Sequence, residues 1–470
     1  MFERLEAQKP ALKKLIAALR EHYAYASVLA TTERYRSWNV SKNGIRLSAS
    51  GLDGGDGYVI RVFDETGCAE YSINAFSEEM IPKIVREMQE RFEAERKALP
   101  ESVTPMPVSI PDDSPAVLKK EAKFKIDPME LGDEAILDLL ARIREKGLSA
   151  GNVLDINCGA NCSAERKIFL SENRDLDESH MWTNAFVSAM GARGEEIKES
   201  FKGYSVLGGA ELLDEVEKDI GEITARVNDL LRAEPMIPGE YECVCDPAVT
   251  GMIVHEAFGH GVEMDMFVKD RAQAKQFIGQ YVASPLVTMH DGSTVDECAT
   301  WAFDDEGTLT GDTVIIDKGV LKTGMCDALS ASRLGVKPTG NGRRESYERK
   351  AYTRMTNTYF EGGDATKEEM IASVKYGFLL EEPTSGMEDP KNWGIQCMVN
   401  SAREIRDGKL TGRIFSPIVL TGYVPDLLKS VSMMGGKVEL AGGGYCGKGY
   451  KEWVKVSDGG AYMKARIRLG

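Results

Sequence analysis

The chain has 470 residues, 42% of them hydrophobic and 28% charged, which is the balance of an ordinary globular protein long enough for two domains. Acidic residues outnumber basic ones 74 to 58, and the net charge of -16 opposes binding to phosphate backbones and anionic membrane surfaces. Nucleic acid and membrane are therefore excluded as main partners. The nine scattered cysteines suit a reducing, cytoplasmic setting better than a disulfide scaffold.

At the N-terminus, Glu3, Arg4, Glu6 and Lys9 stand where a secretory signal needs an apolar core. Leu5, Leu12, Leu15, Ile16 and Leu19 recur at helical spacing and predict a surface helix with one buried stripe. No run approaches the roughly 18 apolar residues of a membrane span. A charged helix capped by Ser77 is predicted over 77–97, followed by an extended loop imposed by Pro100, Pro105, Pro107, Pro111 and Pro115. A helix near 132–146, strand-like runs near 152–158 and 166–171, and a long helix near 210–232 make this half a mixture of helix and sheet. Beyond Pro235 and Pro238, short β-rich segments are punctuated by glycine, and DKG at 317–319 and RDGK at 406–409 are hairpin signals. The fold class expected is α+β. A mixed α/β domain spans 1–235, and an antiparallel β-rich domain spans 236–470.

The stretch VHEAFGH at 254–260 holds two of the five histidines around Glu256. Two neutral imidazoles can hold Zn²⁺, and a glutamate beside the first can take a proton from water that the metal acidifies. Zinc-hydrolase helices usually space their histidines four apart, on one face. Here the spacing is five, which turns the second imidazole roughly 140° from the first on a regular α-helix. Asp246-Pro247 is a good helix start, so the motif does sit on a helix. A π-bulge, or a bend at Gly259 and Gly261, would restore a shared metal face. A third ligand is still needed, and Glu263, Asp265, His290 and Cys446, in AGGGYCGKGY, are the candidates.

These segments resemble the TldD/PmbA family of metallopeptidases. The likeness is carried by HEAFGHGVEMD at 255–265, DDEGT at 304–308, TGNGRRESY at 339–347, RMTNTYFEGG at 354–363 and GGYCGKG at 443–449. The resemblance implies zinc held by His255, His260 and Cys446, with Glu256 as catalytic base. It also implies a TldD-like, metal-binding subunit that hydrolyses unfolded or short peptides, including leader segments of ribosomal peptide precursors. Such a subunit pairs as a dimer, with an inactive TldE/PmbA-like partner or with itself. A non-catalytic scaffold subunit with a structural zinc is the alternative.

Arg343 and Arg344 are candidates for binding the peptide through its carbonyls or carboxylate. The RMTNTYF run reads either as an exposed strand able to pair with a peptide backbone or as a core strand. Cys158, Cys162, Cys243 and Cys245 are expected to be buried thiols, and Asp304, Asp305 and Glu306 a solvated acidic turn.

Overall fold

The computed structural model describes residues 3–49, 56–98, 100, 108–150, 153–295, 297–441, 444–449 and 452–470. Pro105, Pro107 and Gly443 lie outside these. Among the described residues, eight strands form one sheet and eleven form another.

The first sheet is built on three long strands, Tyr25–Ser41, Val153–Leu170 and Arg174–Arg193, paired antiparallel, with one register shift between Val153 and Asp155 in the second pairing. Alternation gives it two faces. Val28, Ala30, Ile60, Ile168 and Leu170 turn toward the helices Glu3–Arg20 and Ile81–Ala98, whose Leu12, Leu15, Leu19, Ile84 and Met88 share their core. Leu29, Val59 and Phe169 turn the other way and pack on Phe303 of the second half. Helices Asp133–Leu148 and Leu213–Leu230 cover another stretch, with Ile136, Leu140, Val216 and Ile220 against Cys158 and Val187.

The runs expected near 152–158 and 166–171 are one strand, Val153–Leu170. Polar Asn161 and Glu165 broke the apolar pattern because they line a cavity. The second charged helix begins at Ile81 after a short 3₁₀ turn, and the Ser77 side chain makes no cap hydrogen bond.

In the second sheet, Gly239–Cys245, Tyr376–Asp389, Gly394–Arg406, Ile418–Tyr423 and Ser457–Leu469 pair in a closed ring. The hairpin turns form as expected, with Lys318 and Gly319 at φ 46° and 85° and Asp407 and Gly408 at 48° and 74°. The sheet is not purely antiparallel. Gly377–Leu380 runs parallel to Glu242–Cys245, and Asn357–Tyr359 parallel to Ser457–Gly459. Parallel neighbours need a long connection, which the excursion through residues 246–375 supplies. No described helix is long and apolar enough to cross a membrane.

Candidate metal centre

The strand Gly239–Cys245 feeds a helix whose start follows the Asp-Pro signal: Val249 N–H donates to Asp246 Oδ1 at 2.7 Å, and Pro247 opens the helix. Val249, Met252, Ile253, Val254, Ala257 and Phe258 bury it in the second core. At Ile253 the winding widens into a π-helical turn that runs to Gly259. Its i to i+5 hydrogen bonding brings residues five apart nearly into line. The rings of His255 and His260 accordingly lie 5.1 Å apart, edge to face.

Cys446 arrives from a short hairpin, Tyr445–Lys448 with Glu452–Lys455. Arg354, 1% exposed, holds this hairpin in place by donating to the carbonyls of Cys446 and Glu452. One donor atom each from His255, His260 and Cys446 then lies within 4.8 Å of the others. Cys446 Sγ is 3.6 Å from His260 Nε2. An N···S edge of a tetrahedral zinc site is about 3.6 Å by ordinary bond lengths, so the donors fit that ion.

The electrostatics agree with this donor set. Burial opposes ionisation of the Cys446 thiol, but His260 and His255 outweigh it and hold the group well below the usual thiol range. His260 Nδ1 lies 3.1 Å from Glu263 Oε2, which fixes the ring and directs Nε2 toward Cys446. Lys448 Nζ donates to Glu263 Oε2 at 3.1 Å and to Asp265 Oδ1 at 2.7 Å. Despite burial, Lys448 and His260 hold the Glu263 carboxyl well below the usual carboxylate range. His255 Nδ1 is buried and unpartnered among the described residues.

Glu256 Oε2 lies 4.0 Å from His260 Nε2. Burial pushes its carboxyl above the usual range, against the pull of both imidazoles. Gly386 on the neighbouring strand leaves it room: a Cβ there would stand 2.5 Å from Glu256 Cγ.

The remaining sequence candidates are placed differently. His290 is held between Asp312 and Glu361 at 2.8 and 3.0 Å, away from the triad. Glu263 and Asp265 serve His260 and Lys448. Arg343 donates to the carbonyls of Met355 and Lys455, both at 2.6 Å. Arg344 grips Glu70 with two bonds of 3.0 and 2.9 Å, and both arginines line a cavity. Both edges of Asn357–Phe360 are paired, so it is a core strand with no edge free for a peptide.

Asp304 and Glu306 are buried and Asp305 is half-buried, so the acidic turn is not a solvated one. Asp305 meets Lys167, and Glu306 meets Arg61, so the turn ties the second half to the first sheet. Cys158, Cys162, Cys243 and Cys245 are buried, and burial pushes the first two thiols up to about 12.

Comparison with known proteins bears on the same segments. A family model described as the PmbA/TldA metallopeptidase C-terminal domain matches residues 238–462. A metalloprotease of Methanothermobacter thermautotrophicus is 30% identical over 300 residues, 63% of this chain and 65% of its own length. A metalloprotease of Methanocaldococcus jannaschii is 26% identical over 411 residues, 87% of this chain and 89% of its own. A zinc metalloprotease TldD homolog of Saccharolobus solfataricus is 26% identical over 259 residues, 54% of this chain and 57% of its own. TldE from Thermococcus kodakarensis shares the fold, with a TM-score of 0.76 at 18% identity over 98% of this chain and 100% of that one.

Residues 238–462 belong to the TldD/PmbA family. The matches to the Methanothermobacter and Saccharolobus relatives span 65% and 57% of their lengths, under two thirds in each. Within this TldD/PmbA segment, some residues around the triad carry no local sequence signal. Glu388 Oε2 accepts the Gly261 N–H at 2.9 Å from a strand more than 120 positions away, a contact no local pattern announces. Lys448 was visible only as one lysine in a glycine-rich run. Glu263 carried the better signal, being three residues after His260 and so one turn away.

Proposed function

We propose that the chain is a zinc-dependent metallopeptidase acting on unfolded or short peptides, with leader removal from peptide precursors as one such role. Support comes above all from the convergence of His255, His260 and Cys446 beside Glu256. Two imidazoles and a thiolate would hold the ion, leaving a fourth position open. When bound, zinc supplies Lewis-acid polarisation of a carbonyl and acidifies water. Glu256 takes the proton from the attacking water and returns it to the leaving amine. Glu263 orients His260, and Lys448 keeps Glu263 ionised. A purely structural zinc would leave Glu256 without a task, which disfavours the scaffold alternative.

Arg343 and Arg344 contribute to peptide binding through the cavity they line. The chain works in the cytoplasm as a dimer, with itself or with a TldE-like partner, and its domain boundary falls near residue 235. Chelation with 1,10-phenanthroline is expected to abolish cleavage of an unfolded casein, and added zinc to restore it. Undiminished cleavage in the chelator would contradict metal dependence.

A further inference from the structure

The hairpin that carries Cys446 has a second face. Tyr445 pairs with Lys455, and Cys446 with Val454. Because side chains alternate across a strand, Cys446 turns to the imidazoles while Tyr445 and Lys455 turn away from them. On that side lies a cavity of about 420 Å³ between the first sheet and the second half of the chain. Trp182, Trp301, Tyr445 and Trp453 line it, and neither His255, His260 nor Glu256 does. A volume of this size suits a small organic ligand.

Its charges are unevenly matched. Lys167 is paired with Asp305, Arg344 with Glu70, and Arg166 with Asp177. Lys455 and Arg343 form no ion pair among the described residues, although they are only 7% and 8% exposed. The Lys455 ammonium donates to Asn184 Oδ1 at 2.8 Å and stands 4.9 Å from the ring centroids of both Trp182 and Tyr445. It has three donors, and Asn184 takes one. Arg343 Nη2 donates to the Lys455 carbonyl, so the two cations are joined through the main chain. Glu165, on the opposing sheet, accepts from Trp182 Nε1 at 3.1 Å. Glu165 and Glu297 act on Lys455, and Asp305 and Asp291 on Arg343, only from beyond ion-pair contact; a buried cation without an anion in contact is costly, and two of them beside an open cavity call for an anionic ligand.

We propose that this cavity is a carboxylate-binding site separate from the metal triad. It takes a small ligand whose α-carboxylate meets Lys455 and Arg343 and whose aromatic or apolar side chain lies against Trp182, Trp301 and Trp453. A peptide C-terminus and a free amino acid share this chemistry. Choosing the peptide as source rests on the peptidase function proposed above; the carboxylate site itself does not.

Three of the chain's five tryptophans line the cavity, so quenching of their fluorescence reports binding. N-acetylphenylalanine is expected to bind, and its amide at least about tenfold more weakly, because a charge-assisted hydrogen bond is lost. Lys455→Met should weaken the acid by a similar factor, Lys455→Arg should recover most of it, and Glu256→Gln should bind as the native chain does. Tighter binding of N-acetylphenylalanine than of phenylalanine identifies a peptide C-terminus as the source, and the reverse identifies a free amino acid; both support the site. Equal binding of acid and amide, full binding by Lys455→Met, or no saturable quenching by either acid would overturn it. Loss of hydrolysis in Glu256→Gln with binding intact separates this site from the peptidase centre.

Discussion

The Glu256→Gln protein is expected to retain its fold and its zinc while cleaving an unfolded peptide at least about 100-fold more slowly than the native chain. The substitution keeps the shape of the side chain and removes only its capacity to accept a proton. Shape matters here because Glu256 fills the space that Gly386 leaves open, where a Cβ would fall 2.5 Å from Glu256 Cγ. None of the donor atoms of the triad belongs to Glu256, so zinc content should not change. General bases contribute about 10²- to 10⁴-fold, which sets the size of the loss. Peptide cleavage assayed beside zinc analysis decides it: a native rate in the variant would remove Glu256 from the chemistry.

The second large effect is structural. Arg354→Met is expected to destabilise the chain by about 3 kcal/mol, because it strips hydrogen bonds from two carbonyls in a dry environment. The guanidinium is 1% exposed and donates to Cys446 and Glu452, one residue on each strand of the hairpin. Its charge also favours ionised Glu263, the partner of His260. Losing it should therefore loosen Cys446 and weaken metal affinity as well as stability. Urea unfolding of the metal-free native and variant proteins measures the first effect without the second. Coincident transitions would show that the hairpin is held by something else.

Much of this arrangement was legible in the residues because the signals were local. Asp246-Pro247 predicts a capped helix start, and Val249 N–H does donate to Asp246. The five-residue histidine spacing is incompatible with a shared face on an α-helix, and the chain answers it with the π-helical turn Ile253–Gly259. Asp407-Gly408 turns as its left-handed preference dictates. What stayed hidden depends on partners remote in sequence. DDEGT looks like a solvated turn until Arg61 and Lys167, from the first sheet, are brought against it. The polar residues that split the run over 153–170 read as a break until the cavity they face is known. Parallel pairing of Tyr376–Asp389 with Gly239–Cys245 leaves no local trace, because a parallel register is set by the path of the chain between the strands.

The central claim, that His255, His260 and Cys446 together hold one zinc ion, is tested most directly by the metal content of the purified native chain and of Cys446→Ser. One zinc per native chain, lost in the variant together with peptide cleavage, is the result predicted. Full zinc in Cys446→Ser would contradict it and would transfer the third ligand to another residue.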